Sequence, residues 1–225
     1  MSIVETVKHF KIGSRRSGTS FAFIPVLALM LSLFVFAGCE IDEDGRIRVD
    51  ERGLTRVIRD LFSDDIFLQV DLLGMPIYGG NTPPDITGKF LSSPSILLAS
   101  NYKDSYAPGY KFKDMTITYY EQNNRNLTVK VQQIQGNDVG NGMRGHIVGK
   151  GKNFTVFVVL DVLDEHGCLH KTGYIHSGTM SDEGIINLHR VIIMIDDGGD
   201  PHNKLIGNGK GRLIYDADGL SERIK

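Results

Sequence analysis

From residue 86 onward, hydrophobic and polar positions alternate with a period of two. The pattern is clearest between Leu127 and Gln132, where every second residue is apolar, and it recurs over residues 115–120, 190–195 and 210–215. A period of two is typical of β-strands that bury one face. In residues 154–160, both alternating sets contain apolar residues, so both faces of that predicted strand are apolar. This part of the chain is therefore predicted to be a β domain.

Short groups of turn-forming residues separate these segments. They lie at residues 123–124, 140–142, 151–153, 164–167, 181–184 and 197–199, and they are rich in Gly, Asn and Asp. No helical pattern comes between them, which favours antiparallel neighbours over βαβ units. We predict a mainly β fold, an antiparallel up-and-down barrel of about eight strands over residues 85–225. A β-sandwich is the alternative.

The segment before this domain has helical spacing. Apolar residues at 54, 57, 58, 61 and 62 fall on one stripe, which predicts a short helix over residues 50–62 with Asp50 as its cap. Residues 66–73 form a further apolar stretch of uncertain type. Glycines and prolines at residues 79–84 break the chain before the β domain. Residues 39–84 are thus expected to form an acidic arm with a short helix.

The first 38 residues read as a targeting signal. A basic start is followed by an apolar run over residues 21–36 and then by Ala37-Gly38-Cys39. The ending Phe36-Ala-Gly-Cys39 resembles the lipobox of bacterial lipoproteins. That resemblance implies a lipid on Cys39, cleavage before it, and a lipoprotein anchored in a membrane of the bacterial envelope, with the outer membrane favoured. An uncleaved membrane anchor with an incidental Cys39 is the alternative.

Composition and charge exclude several classes of protein and of metal site. Hydrophobic residues make up 41% of the 225-residue chain, which fits a folded protein. A formal net charge of −2 does not support a nucleic-acid binder. The two cysteines exclude a disulfide-rich scaffold and a zinc site of four thiolates. Acidic residues concentrate in residues 40–71, which hold 10 Asp and Glu against 5 Arg.

The acidic segment from Glu40 to Glu51 has three interpretations. Its acids and Gly45 have the spacing of an EF-hand calcium loop, although Glu stands at the first position and no helix can precede it after cleavage. A solvated acidic tether is the favoured interpretation. Acidic residues just after the lipid-bearing cysteine also resemble lipoprotein sorting signals.

Candidate catalytic and metal-binding groups are few. His166, Cys168 and His170 alternate as metal ligands on one strand face would, but residues 164–167 read as a turn, so no metal site is predicted. His176 and Ser177 lack the Gly-x-Ser-x-Gly context of a nucleophile. Isolated histidines on strands are expected at the surface or satisfied in the core. We predict a non-enzymatic protein without a cofactor.

The start of the β domain carries a second resemblance. Ile86-Thr-Gly-Lys-Phe90 resembles the opening strand of lipocalin-like and fatty-acid-binding barrels, with Phe90 in place of their usual Trp. The resemblance implies a small apolar ligand inside the barrel and a late basic residue, for which Arg212 is the candidate, packed on Phe90. The expected lining residues are Met115, Ile117, Leu127, Val129, Val131, Phe154 and Val156. A filled β module that displays loops to a protein or glycan is the alternative function.

Overall fold

The computed structural model describes residues 41–103, 106–136, 138–163, 167, 169–203 and 205–225. Cys39 and the predicted signal segment lie outside the described residues, and the chain from residue 40 onward forms one compact unit. The described part contains helices α1 (Arg56–Leu61) and α2 (Asp64–Leu72) and strands β1 (Asn81–Thr82), β2 (Gly88–Ser92), β3 (Ser95–Ser100), β4 (Met115–Asn123), β5 (Thr128–Gln135), β6 (Asp138–Lys150), β7 (Asn153–Leu163), β8 (Leu169–Met180), β9 (Gly184–Asp196), β10 (Gly211–Asp216) and β11 (Leu220–Ile224).

Ten of these described strands run antiparallel to their neighbours in one sheet. Their order is β11-β2-β4-β5-β6-β7-β8-β9-β10-β3, and short β1 pairs in parallel with β6. A further antiparallel pairing joins β11 to the start of β9, so eight strands from β11 round to β9 close into a ring. The later part of β9 pairs with β10 along the same edge, and β10 then pairs with β3. The prediction of a mainly β, antiparallel fold is confirmed.

The helices start at serine and threonine caps. The Thr55 hydroxyl accepts a hydrogen bond from the Ile58 N–H, and the Ser63 hydroxyl accepts one from Ile66. The prediction that Asp50 caps the first helix is wrong, because its carboxylate accepts the N–H groups of Arg52 and Leu54 in the preceding turn. Residues 66–73, the apolar stretch whose type the sequence leaves uncertain, belong to helix α2 and its C-terminal cap.

Two predicted boundaries in the β domain also differ from the structure. Residues 140–142, read from their glycines as a turn, lie inside β6, and the chain reverses near Gly136 instead. Strand β9 begins at Gly184, well before the predicted residue 190. Both segments were hard to read because glycine and polar residues interrupt the apolar alternation inside real strands.

The apolar side chains form two separate clusters on opposite faces of the sheet. The inner cluster lies within the ring and draws on β2 and β4 to β9. The outer cluster joins α1 and α2 to the outer face of the five strands from β6 to β10. Strand β7 serves both, since Phe154, Val156 and Val158 pack inward while Phe157 packs under the helices. This explains why the sequence of β7 is apolar on both faces.

The segment before β1 packs closely on the ring. The Gly80 N–H donates to Gly53 O at 2.8 Å, and the Gly149 N–H of β6 donates to Gly80 O at 2.9 Å. A Cβ on Gly79 would lie 2.0 Å from the Arg52 carbonyl oxygen, so this backbone approach requires glycine. No helix among the described residues is long and apolar enough to cross a membrane.

Candidate functional site: a cavity at one end of the ring

One end of the ring contains a cavity of about 450 Å³. It lies where β4 begins, β5 ends, β6 begins and β7 ends, so the strand register brings these four termini together. A volume of this size is within the range of about 300–1,000 Å³ that is usual for small-molecule sites. The described residues that line it are Met115, Gln133, Gln135, Val139, Gly140, Leu160, Tyr174, His176, Arg190 and Ile192.

Arg190 is the charged residue of this lining. Its side chain is only 3% exposed, and burial lowers its pKa to about 10, so the guanidinium stays protonated at neutral pH. The guanidinium donates from Nη2 to Ser95 Oγ at 2.9 Å and contacts Met115 Sδ through Nη1. Its Nε has no hydrogen-bond partner among the described residues. A buried cation with an unsatisfied donor is costly.

His176 and Tyr119 form a buried neutral pair beside Arg190. Tyr119 Oη lies 3.0 Å from His176 Nδ1, and both side chains are buried. Burial, with a contribution from Arg190, lowers the pKa of His176 to about 3. Burial likewise raises the pKa of the Tyr119 phenol. The pair therefore carries no charge at neutral pH, and Arg190 supplies the charge in this part of the ring.

Asp216 is the carboxylate whose charge contributes to the pKa of Arg190. It is paired in the β3–β10 register with Ser95, the residue that also accepts from Arg190. Its Oδ2 accepts a hydrogen bond from Ser221, and burial raises its pKa. Within the described residues, no carboxylate oxygen forms a salt bridge with Arg190 at 4.0 Å or less. Asp216 acts on Arg190 only through the longer-range field.

The seven residues predicted to line a ligand site are all buried. Six of them pack together in the inner cluster, and Met115 is the member of the set that borders the cavity. Leu127 is buried just before β5, where its φ is +51°. Below the cavity the ring is filled by side chains, including Phe90, Tyr119 and Phe154.

Comparison with protein-family models, curated proteins and solved structures gives no match. The interpretation of the cavity therefore depends on its own residues and their geometry.

The motif at the start of β2 has a clear structural role. The guanidinium of Arg223 lies over the Phe90 ring, 4.8 Å from its centroid, and Arg223 Nη1 donates to Thr87 O at 2.9 Å. A Cβ on Gly88 would lie 2.1 Å from that Nη1, so a larger residue at position 88 would displace the guanidinium from this position. The expectation that Arg212 packs on Phe90 is wrong, since Arg212 lies over Tyr102 and Tyr106 instead.

The candidate metal residues give no described site. His166 and Cys168 lie outside the described residues, and His170 is buried with an Nδ1 that has no hydrogen-bond partner among the residues the structure describes. In the described part of the chain, no group of three or more His, Cys, Asp and Glu side chains is placed to hold a metal ion.

The acidic segment from Glu40 to Glu51, for which a solvated tether is favoured over a calcium loop, is organised by its own hydrogen bonds in its described part. Asp42 Oδ1 accepts the N–H groups of Asp44 and Arg46, and Asp42 Oδ2 accepts from Asn81 of β1. Asp44 forms an ion pair with Arg46. These contacts use the carboxylates within an exposed turn that is fastened to the ring.

The local pattern of apolar and polar residues does not single out Arg190. It begins the segment 190–195, in which Val191 and Ile193 pack outward under the helices and Ile192 points to the cavity. The signal that the sequence does contain is the position of Arg190, a charged residue that faces inward from a strand whose two faces are otherwise apolar. His176 behaves as expected for a satisfied core histidine, and Ser177, its neighbour in the strand, points to the opposite face.

Proposed function

We propose that this protein is a lipid-anchored, non-enzymatic binding protein of the bacterial envelope. Its ring of eight strands would act as a lipocalin-like barrel that receives one small ligand at its open end. The observation that carries the proposal is the cavity of about 450 Å³ with a buried, incompletely satisfied Arg190 in its wall. Proteins rarely bury such a group unless a partner compensates it.

The contact between Phe90 and Arg223 supports the barrel part of the proposal. In the family that the opening strand resembles, a late basic residue packs on the aromatic residue of that strand. Here Arg223 of β11 covers Phe90 of β2, and β11 is also the strand whose pairing with β9 closes the ring. The contact between Arg223 and Phe90 thus lies on the strand whose pairing closes the ring.

A filled interaction module is the second candidate, because most of the ring interior holds tightly packed side chains. Phe90, Ile117, Tyr119, Phe154 and Val156 are all completely buried. In this case the cavity would be an incidental gap, and the loops would carry the function. The two candidates differ in whether a small molecule occupies the open end.

Native mass spectrometry of the full chain, extracted from its own membranes in mild detergent, tests the proposal. We expect a fraction of the protein to carry an added mass of a small ligand. Ile192→Trp should remove that mass by filling the cavity that Ile192 lines. Leu98→Trp, at an exposed position of β3, should retain it. Protein without any added mass in all three forms would favour the interaction module.

A further inference from the structure

Strands β6 and β7 separate towards the end of the ring that contains the cavity. Their antiparallel pairing runs from the hairpin turn only as far as Gly145 and Val158. Beyond that pair, residues 138–144 of β6 stay paired with β5, and residues 159–163 of β7 stay paired with β8. Among the described residues, no strand pairs with these two segments on the sides that face each other. A gap therefore interrupts the wall of the ring.

The hydrogen bonds of β6 establish which backbone groups β7 directs into this gap. The Ile147 N–H donates to Leu127 O, on the side of β6 away from β7. The even-numbered residues of β6 therefore face β7, where their partners are the odd-numbered residues. Because β7 continues along β8 without a register shift in this region, the N–H and C=O groups of Asp161 and Leu163 point into the gap.

The opposite side of the gap is less regular. The register of β6 with β5 shifts between Val131 and Gln133, and Gly142 in the shifted part of β6 has a φ of +63°. A bulge of this kind bends a strand and interrupts the regular spacing of the groups along its edge. The edge of β7 is therefore the one at which a further strand can pair.

The cavity borders this gap on both sides. Gly140 of β6 and Leu160 of β7 line it, and both belong to the segments that are not paired with each other. Tyr174 of β8 and Ile192 of β9 continue the lining. A strand paired with β7 would direct every second side chain to the same face as Leu160, which is the face of the cavity. The free edge and the cavity thus suit the backbone and the side chains of one extended peptide.

The outer face of the same edge carries a negative charge. Asp161 is exposed and follows Leu160 in the strand, so its side chain lies on the opposite face of β7. The Cβ atom of a residue directly opposite on a paired strand would lie about 4.5–5.5 Å away, where opposite charges attract. Charge complementarity therefore favours a basic side chain at the outward position of the peptide.

From these observations we propose that the gap receives an extended segment of another polypeptide, which pairs with the free edge of β7 as an added strand. Its alternate side chains are apolar and occupy the cavity, and a basic residue between them faces Asp161. In this mode of recognition, backbone hydrogen bonds supply affinity and pockets for alternate side chains supply specificity. The inference rests on the proposed binding function and names the class of ligand at the same cavity.

Fluorescence anisotropy with the full chain in phosphatidylcholine nanodiscs tests the strand pairing. The probes are labelled pentapeptides of the form Thr-Xaa-Lys-Xaa-Thr, in which both Xaa positions hold Val, Leu, Ile, Met, Phe or Tyr. Each is compared with a twin whose backbone N–H groups are all methylated, which keeps the side chains and removes the donors for strand pairing. We expect the tightest-binding peptide to bind at least about tenfold more tightly than its twin. Empty nanodiscs correct for adsorption to lipid.

Substitution of Asp161 separates its backbone from its charge. Asp161→Pro removes the N–H that points into the gap, and the β7–β8 pairing does not use that group, so the sheet should tolerate proline there. Asp161→Asn is the matched control, because it loses the same charge and keeps the N–H. It should weaken peptide binding by no more than about fivefold, the usual limit for an exposed ion pair. Asp161→Pro should bind at least about tenfold more weakly than Asp161→Asn, and circular dichroism establishes that both are folded.

The possible outcomes separate this inference from the proposed function. Equal binding of the peptides and their methylated twins would overturn the strand pairing and leave a cavity that takes small apolar groups. If no peptide binds saturably while the native mass spectra still show an added small molecule, the inference alone is overturned. If neither is seen, the binding function fails as well. Equal binding by Asp161→Pro and Asp161→Asn would also overturn the inference. The comparison with the methylated twins needs no variant, so misfolding of Asp161→Pro would not leave the inference untested.

Discussion

Inside the ring, burial shifts the pKa of an ionisable side chain. The position of the shifted pKa relative to neutral pH decides whether that side chain carries a charge. Arg190 keeps its proton despite complete burial, because an arginine pKa lowered to about 10 is still well above neutral. Burial also keeps His176 neutral, because it lowers the pKa of the imidazole from 6.5 to about 3, far below neutral pH. Burial thus leaves one cation and one neutral ring side by side.

The depressed pKa of His176 should make folding stability depend on pH. As pH falls below about 6.5, the unfolded chain binds a proton at this histidine and the folded chain does not, so stability decreases toward acid. Between pH values near 7.5 and near 5, the loss should reach about 2 kcal/mol. Urea unfolding of residues 40–225, followed by tyrosine fluorescence, measures it.

The matched variant is His176→Gln, which keeps a hydrogen-bonding group for Tyr119 and should lose this part of the acid sensitivity. His189→Gln, at a partly exposed position, should not change it. Asp216 has a raised pKa and acts in the opposite direction, so the difference between unmodified protein and His176→Gln is the relevant quantity. An unchanged pH dependence in His176→Gln would contradict the assignment.

At the residue scale, the sequence predicts which apolar side chains are inward but not which polar ones join them. Alternation alone placed Ile117, Val129 and Val131 inside, and they are buried there. It could not find Arg223 as the partner of Phe90, because that contact depends on the pairing of β11 with β2 across more than a hundred residues. Long-range register is not written in local periodicity.

At the scale of elements, α1 and α2 are held by aromatic contacts on the outer face of the sheet. Phe62 at the end of α1 and Phe67 of α2 lie with their ring centroids 5.4 Å and 6.1 Å from that of Phe157 on β7. The guanidinium groups of Arg52 and Arg59 each lie 5.1 Å from the centroid of the Phe67 ring. Helices this short are not stable alone, so packing determines their presence.

Phe157→Ala should therefore loosen both helices. Its side chain is completely buried between them and the sheet, and truncation of a buried Phe costs about 3–5 kcal/mol. Urea unfolding of residues 40–225 should show this loss, and hydrogen exchange of α1 and α2 should accelerate. Leu72→Ala is the control, because Leu72 is 72% exposed and its truncation should change stability by less than about 0.5 kcal/mol. A similar small effect for Phe157→Ala would show that the helices dock by other contacts.

The elements that were predictable are those in which local pattern and tertiary environment agree. Strand β5 has one buried and one polar face, and its alternation matched the structure. Strand β6 was obscured because Gly140, Gly142, Gly145 and Gly149 lie within it. At Gly145 and Gly149 the space for a Cβ is taken by β7, so close strand contact explains those glycines better than a turn does.

At the scale of the whole unit, closure of the ring uses a branch in the sheet. Strand β9 pairs first with β11 and then with β10 along a single edge, so the ring closes at one end while β10 and β3 extend at the other. Ring closure satisfies backbone groups that an open sheet would leave unpaired at its edges. The open end that remains holds the cavity, which ties the proposed binding site to the topology.

The location of the protein is tested at Cys39. If the lipobox interpretation is correct, Cys39→Ala should incorporate no fatty acyl label in cells and should retain the mass of the unprocessed chain, because the acceptor thiol is absent. The chain offers a matched control in its other cysteine, since Cys168→Ala should be labelled and processed normally. Metabolic labelling with an alkyne-tagged palmitate, followed by intact-mass analysis, measures both properties. Acyl labelling of Cys39→Ala equal to that of the unmodified protein would rule out Cys39 as the site of lipid attachment, and the alternative of an uncleaved anchor would then account for the apolar segment before it.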